Sequence, residues 1–213
     1  EKDLTPIISL FESLRTITVP TRMPIKSIKE LIAYCKQNPG KLSFGSSGIG
    51  SAFHLDGEIL KEAAGIDIVH VPYRGSAPLA TDVAAGRIEI GVMSYNNVKP
   101  HINTGKLRLI AIMEKSRNLK LLPNIPTVAE TLPGVVRSPG FTGYLAPAGL
   151  PRPIVDRVFA AAKAAMDAPE VRAFHAGNAT QIAINTPEEF SAALHDGLIS
   201  VSGLMKRIAL KPQ

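Results

Sequence analysis

Short apolar runs alternate with amphipathic stretches along most of this 213-residue chain, and this alternation restricts the folds that the chain can form. The apolar runs at 15–19, 42–45 and 68–71 are each followed by a turn segment and then by a stretch with helical periodicity. A further run at 88–93 ends in a polar turn. The order of strand, turn and helix is typical of βαβ units. The pattern therefore predicts an α/β fold with a mostly parallel sheet.

Capping signals predict where individual helices begin. A Ser or Thr followed three residues later by Glu marks a helix start, because each side chain can bond a free backbone N–H. Two such pairs precede predicted helices, and they are Ser27 with Glu30 and Thr186 with Glu189. Ser76 is predicted to cap another helix, which runs through Ala85.

Charge and composition exclude several classes of protein. Lys and Arg total 24 against 18 Asp and Glu, a net charge of +6, without any basic run. This balance suits an anionic small molecule or no charged partner at all, and without a basic run it makes a nucleic acid a minor hypothesis. A single cysteine, Cys35, excludes a disulfide framework, and we expect it to be buried and unreactive. No apolar stretch approaches the roughly 18 residues of a membrane span.

The first residues show neither a signal-peptide pattern nor an initiator methionine, which leads us to expect a processed or trimmed chain.

The turn at 45–51, Gly-Ser-Ser-Gly-Ile-Gly-Ser, has the composition of an anion site. It lies between a predicted strand and a predicted helix, where small residues let backbone N–H groups approach a ligand and the helix dipole favours negative charge. Its serines can donate further hydrogen bonds, and His54 is one helical turn beyond. A tight turn whose serines only cap the helix explains the same pattern.

Three sharper motifs fail at this turn. Ser51 and Ala52 replace the residues that a P-loop requires, and Phe53 occupies the third glycine position of a dinucleotide fingerprint. Ile49 stands where a nucleophile elbow needs glycine. The failed motifs weaken the hypotheses of nucleotide binding and of hydrolase activity.

Two more polar turns follow predicted strands, at 72–78 and 94–97. A helix that begins at Ser76 has free N–H groups for a second anionic group. Tyr73 and Arg74 either contact that group or, respectively, pack in the fold and face solvent. Ser94 and the two asparagines after it can orient a polar ligand, although they are also ordinary turn residues. The histidines at 70, 101, 175 and 195 lack ligand-like spacing and are expected to be structural or exposed.

Several ordered motifs are specific to one family. They are KLSFGSSGIGSAFHLDGEILKEAAGIDIVHVPYRGSAPLATDVAAGRIEIGVM, HINTGKLRLIAI, NIPTVAET and YLAPAGLP. From Leu4 nearly to the C-terminus the chain resembles the receptors of tripartite tricarboxylate transporters, called Bug proteins in Bordetella.

This resemblance implies a type II periplasmic-binding-protein fold, with two α/β lobes that close on a ligand like a flytrap. It implies a periplasmic receptor that captures a small carboxylate, delivers it to a membrane permease, and is neither an enzyme nor a user of metals or cofactors. Carboxylates of the family include di- and tricarboxylates, acidic amino acids and aromatic acids. The segment 13–135 is expected to be the second lobe, and 1–12 with 136–213 the remainder of a first lobe that lacks its opening strands.

The resemblance also places the ligand-binding residues in the polar turns. The residues that match the family's motifs are Ser46, Ser47, Gly48, Ser51, His54, Tyr73, Gly75, Ser76 and Ala77. Ser94 joins them as a departure, because many members carry an aspartate there, and its loss favours a ligand without an amine. Phe141 stands where the family usually has tryptophan.

Two other functions remain open from the sequence. One is a ligand-sensing domain of a regulator or sensor with the same fold, although no helix-turn-helix pattern lies at either end. The other is a hydrolase built on Ser47 or Ser51 with His54, which lacks an evident acid partner. Turnover that is lost on replacing His54 indicates an enzyme, whereas altered affinity without turnover indicates a receptor.

Overall fold

A computed structural model describes residues 2–208 of the chain. Their internal contacts divide them into two compact units, a continuous unit over 14–138 and a discontinuous unit made of 2–13 with 139–208. In chain order the elements are β1 (Leu4–Glu12), β2 (Arg15–Pro20), α1 (Ile28–Gln37), β3 (Ser43–Ser46), α2 (Ala52–Ala64), β4 (Val69–Pro72), α3 (Ser76–Ala85), β5 (Ile90–Ser94), α4 (Tyr95–Asn103), β6 (Leu107–Ile112), β7 (Thr142–Pro147), α5 (Arg152–Asp167), α6 (Pro169–Gly177), β8 (Gln181–Asn185) and α7 (Pro187–Arg207).

The continuous unit contains a five-stranded mixed sheet in the order β4-β3-β5-β2-β6. Strand β3 is parallel to both β4 and β5, whereas β2 is antiparallel to both β5 and β6. The prediction of a mostly parallel sheet was therefore wrong. Strand direction does not follow from a local pattern, because an apolar run has the same periodicity in a parallel and an antiparallel pair. What matters for the site is that β4, β3 and β5 end at the same edge.

The sheet of the continuous unit is held by a large apolar core. Phe44 on β3 and Ile17 on β2 are fully buried, and they pack with Leu31 of α1 and Leu60 of α2. Helix α2 begins at the N-cap Ser51 and ends at Gly65, which adopts the left-handed conformation that glycine tolerates best. This rigid packing fixes where the N-terminus of α2 lies relative to the sheet edge.

The discontinuous unit has an antiparallel sheet in the order β7-β1-β8 with three helices, α5 to α7. Ile7, Ile8 and Leu10 of β1 are buried against Val155 and Met166 of α5. Strand β1 was not predicted, because its segment LTPIISLFE lacks a clean alternation and contains a proline.

Most predicted helix boundaries are confirmed. The Thr186–Glu189 capping box is present at α7, and the Ser27 side chain caps α1. Helix α4 was missed, since its Asn-Asn start and Pro100 inside it are typical of turns. Within residues 2–208, no helix is both long and apolar enough to cross a membrane.

Candidate functional site

Three loops lie side by side at the edge of the sheet where β4, β3 and β5 end. The parallel pairing of β3 with β4 sets Ser46 opposite Pro72, and the N–H of Tyr73 donates to the carbonyl of Ser46 at 3.0 Å. Gly48 approaches so closely that a Cβ added there would lie 3.6 Å from the carbonyl oxygen of Tyr73. The first two sequence-predicted turns are thus neighbours, as the carboxyl ends of parallel strands must be.

The loop 46–51, called the glycine loop below, folds on its own hydrogen bonds. The Ser46 hydroxyl is buried, lies 3.1 Å from the Gly48 carbonyl and accepts from the Gly48 N–H at 3.3 Å. Gly48 and Gly50 have φ values of 137° and 74°, which favour glycine at both positions. Ser47 is half-buried within the loop. The glycines therefore shape the loop, and Ser46 lies beneath it.

The glycine loop leads into a helix N-terminus with unused donors. The Ser51 hydroxyl accepts from the N–H of His54 at 3.2 Å, and its carbonyl accepts from Leu55 at 3.0 Å. The first two N–H groups of α2, those of Ala52 and Phe53, find no acceptor within residues 2–208. A pair of free donors at the positive end of a 13-residue helix suits a carboxylate or a phosphate.

His54 supports this loop from below. The residue is 2% exposed, and its Nδ1 accepts from the N–H of Gly50 at 3.0 Å. Burial, with a smaller effect from Lys61, lowers the pKa of His54, which favours the neutral ring that this hydrogen bond requires. The sequence placed His54 toward the same opening as the serines, whereas the structure places its ring within the support of the loop.

The second loop supplies a similar N-terminus at α3. Its N-cap is Gly75, with φ of 108°, and no side chain caps the helix. Ser76 is the first helical residue, so the prediction that it caps α3 was wrong; glycine takes that place because the backbone there is left-handed. The N–H groups of Ser76 and Ala77 have no acceptor in the part of the chain that the structure describes.

Tyr73 and Arg74 differ in their roles. The Tyr73 hydroxyl donates to Asp82 Oδ2 at 2.8 Å, which fixes the ring against α3. Burial raises the pKa of Tyr73 to about 12, helped by the Asp82 carboxylate, so the hydroxyl stays protonated. Arg74 is exposed at the tip of the loop, where its charge attracts anions.

The third loop is a direct junction of β5 and α4. Ser94 ends the strand, is the N-cap of the helix and accepts from Asn97 Nδ2 at 2.6 Å. It is 6% exposed and pairs with Arg15 of β2. The structure thus brings Ser94 to the same edge as the first two loops, with its hydroxyl already bonded within α4.

A buried ion pair that sequence reasoning missed anchors α2 behind the glycine loop. Arg15 Nη1 lies 2.9 Å from Asp56 Oδ2 and also donates to the Ser138 carbonyl at 2.8 Å. The Ser138 N–H donates to Asp56 Oδ1 at 2.7 Å, and its hydroxyl donates to the carbonyl of Ala52 at 3.1 Å. The network thus contacts the first residue of α2. An arginine in a strand that has no other charged residue, RTITV, was its sequence signal.

Metal and thiol chemistry have no support in this unit. Among the residues that the structure describes, no three His, Cys, Asp or Glu side chains form a possible metal site. Cys35 is buried, as predicted, and burial raises the pKa of its thiol to about 11, so the thiolate is suppressed.

Adjacent loops and free helix N-termini at one edge of an α/β sheet are the usual place for a small ligand, and this arrangement suits a receptor for an anionic solute. The model of one family, described as "Tripartite tricarboxylate transporter family receptor", matches residues 1–208. The chain belongs to this family of receptors, as the sequence resemblance indicated. The family is one of receptors rather than enzymes.

Individual relatives agree with this membership. The UPF0065 protein in the tcbD-tcbE intergenic region of Pseudomonas sp. (strain P51) is 34% identical over 80% of this chain and 51% of its own length. The structure of R. palustris Rpa4515 with adipate has a TM-score of 0.92 at 27% identity and covers 100% of this chain and 71% of that chain. The periplasmic binding protein BugD has a TM-score of 0.90 at 28% identity, covering 99% of this chain and 71% of that chain.

The chain spans about half the length of the first of these relatives. The high TM-scores confirm the expected type of fold, because they extend over nearly all of the residues of this chain.

Proposed function

We propose that this chain is part of a periplasmic receptor that captures a small organic carboxylate and delivers it to the membrane permease of a tripartite transporter. The observation that carries the proposal is the pair of adjacent helix N-termini, each with two N–H groups that find no acceptor in the described part of the chain. The relative whose structure holds adipate supports a carboxylate as the ligand. Segment 13–135 is assigned to the second lobe, and 1–12 with 136–213 to the first.

The two N-termini divide the ligand between them. One carboxylate is bound by the N–H groups of Ala52 and Phe53, with the Ser47 hydroxyl as a further donor. A second acidic group, or a hydroxyl, is bound by the N–H groups of Ser76 and Ala77. Each bond is charge-assisted, and the dipole of each helix adds to it. The glycines of the loop keep side chains away from the bound oxygen atoms.

The loops also favour a ligand without an amine. Ser94 occupies the position at which an aspartate would pair with an ammonium group, and its hydroxyl accepts from Asn97. Asp82, the acidic residue nearest in sequence to the second loop, accepts from Tyr73 and pairs with Arg87 at 2.6 Å. We therefore favour dicarboxylates over acidic amino acids.

The structure does not support the hydrolase alternative, because the side chains of Ser51 and His54 bond backbone groups of the loop and the helix. Ser51 Oγ accepts from the backbone N–H of His54, and the Nδ1 atom of His54 accepts from Gly50. Neither atom is arranged as a nucleophile next to its base.

A single-donor deletion tests the proposal. Ala52→Pro removes one N–H, and proline is tolerated at the first position of a helix. The preceding residue, Ser51, has φ of −64° and ψ of 155°, which is compatible with a following proline. We expect about 10-fold to 100-fold weaker binding of adipate by calorimetry, as for the loss of a charge-assisted hydrogen bond.

Ala52→Ser, which keeps the N–H, is the matched control and should bind like the unaltered chain. Circular dichroism melting checks that Ala52→Pro still folds. Equal affinity of the two variants would contradict the proposed role of the α2 N-terminus, and failure of every mono-, di- and tricarboxylate in a panel would contradict the receptor function.

A further inference from the structure

Two histidine rings are stacked directly beneath the glycine loop. His54 of α2 and His70 of β4 have ring centroids 3.7 Å apart and planes inclined by 18°. Phe44 of β3 lies against both rings, with centroids 4.8 Å from His70 and 6.3 Å from His54. Three elements therefore converge on this pair, which no local sequence pattern connects.

The two rings hold opposite ends of the glycine loop. His70 Nε2 lies 2.7 Å from the Ser46 hydroxyl at its start, and His54 Nδ1 accepts from the N–H of Gly50 near its end. Residues 47–49, which lead the chain to the N-terminus of α2, lie between these two bonds. The conformation of the loop thus depends on both ring nitrogens.

The charged groups around the pair belong to α2. His54 Nε2 lies 3.9 Å from Glu58 Oε1, and Lys61 Nζ lies 3.7 Å from Glu58 Oε2. Phe44 contributes only an apolar surface. Burial and then the positive charge of Lys61 lower the pKa of His54; burial, His54 and Lys61 together lower the pKa of His70 to about 4.

The bond from Gly50 exists only while His54 Nδ1 carries no proton. A proton on Nδ1 would place two N–H donors against each other and break the bond. A positive charge on either ring would also repel the other ring across 3.7 Å. Protonation of the pair therefore releases one end of the loop.

We propose that His70 is a positioning residue for carboxylate capture, and that the stacked pair makes capture pH-dependent by holding the glycine loop in its binding shape only while both rings are neutral. The inference rests on the proposed function, since it concerns the same loop. Binding is full at neutral pH and weakens as the medium is acidified.

Two variants that keep a hydrogen-bonding atom but cannot titrate separate this role from simple packing. Asn at position 54 can accept from Gly50 through Oδ1, and Gln at position 70 can reach the Ser46 hydroxyl, but neither side chain titrates. Adipate affinity is measured by calorimetry from about pH 8 to about pH 4, which reaches the pKa of His70, for the unaltered chain, His54→Asn and His70→Gln. His101→Gln, on α4, is the matched control. Protonation of adipate itself is common to all four and cancels in the comparison.

At about pH 8 we expect His54→Asn and His70→Gln to bind within about threefold of the unaltered chain, because each keeps its hydrogen bond. On acidification, the affinity of the unaltered chain should fall at least about fivefold more than that of His54→Asn, whose acceptor cannot be protonated. His101→Gln should follow the unaltered chain. Identical pH profiles for the unaltered chain and His54→Asn would overturn the proposal.

A second measurement needs no ligand. The Gly50 amide is followed by ¹⁵N NMR over the same pH range; we expect it to shift with the titration of His54 in the unaltered chain and to stay constant in His54→Asn. A pH-independent Gly50 amide in the unaltered chain overturns the inference even if adipate binds. A titrating Gly50 amide without any carboxylate binding supports the pH-dependent loop and refutes the proposed function instead.

Discussion

Replacing Asp56 by Asn removes the negative charge from the buried ion pair behind the glycine loop. Asp56 is fully buried, and its partner Arg15 is 4% exposed, with 2.9 Å between Nη1 and Oδ2. Asn keeps the shape, and when its oxygen accepts from the Ser138 N–H, its NH2 group points at the guanidinium. The variant therefore leaves the buried guanidinium without the carboxylate that it contacts.

The cost follows from the loss of that carboxylate. Breaking a buried pair by removing one partner costs about 3–5 kcal/mol, a large part of the roughly 5–15 kcal/mol that stabilises a typical domain. For a urea m-value of about 2 kcal/mol/M, the midpoint of unfolding falls by roughly 2 M. Because the chain contains no tryptophan, unfolding is best followed by far-ultraviolet circular dichroism.

Two controls show where the cost arises. Asp82→Asn alters an ion pair with Arg87, whose side chain is 69% exposed, and should cost much less stability than Asp56→Asn. The double variant Arg15→Met with Asp56→Leu removes both charges and should recover most of the lost stability. The reasoning is refuted if Asp56→Asn costs no more than Asp82→Asn, or if the double variant is as unstable as Asp56→Asn.

Three further predictions follow from contacts of the same unit. Ser51→Ala should lower the free energy of unfolding by about 1 kcal/mol, because it removes the side-chain cap of α2. Ser76→Ala should change it by less than about 0.5 kcal/mol, because Gly75 is the N-cap of α3. Equal urea midpoints for the two variants would contradict this prediction. Gly57→Ala should cost about 1–3 kcal/mol in the same assay, since its Cβ would lie 2.1 Å from Cε2 of the buried Phe44 ring, and an unchanged midpoint would show that the ring moves freely. The folded pKa of His70, about 4, lies below its ordinary value of 6.5, so the stability due to its neutral form is complete above about pH 6.5 and is lost as the pH falls toward about 4. That loss is at most about 2 kcal/mol for a partly exposed ring. The melting temperature of His70→Gln should therefore depend less on pH than that of the unaltered chain. An equally steep dependence in both would contradict the assignment.

Much of the local structure could be predicted because its signals lie within a few residues of each other. The capping box at α7 and the Ser27 cap of α1 involve contacts at most a few positions apart. Strand β1 and helix α4 escaped prediction for the opposite reason. β1 is defined by pairing with β7 and β8 far along the chain, and α4 forms despite an Asn-Asn start.

The candidate site was predicted in the same uneven way. The composition of the loops at 45–51 and 72–78 pointed to helix N-termini that hold an anion, and the residues assigned to bind a ligand stay a prediction. The support beneath those loops was not predictable. Arg15 meets Asp56 across 41 positions and Ser138 across 123, so no local pattern connects them.

Local pattern was enough to determine that the chain forms an α/β fold, where most of its helices begin and end, and that two of its turns expose backbone donors. Those properties depend on hydrogen bonds and periodicity within a few residues. Only the tertiary structure decided the mixed direction of the sheet, the glycine rather than the serine at the start of α3, and the stacking of His54 on His70. Each of these depends on which distant segments come into contact, and burial then sets the charge of the groups that meet there.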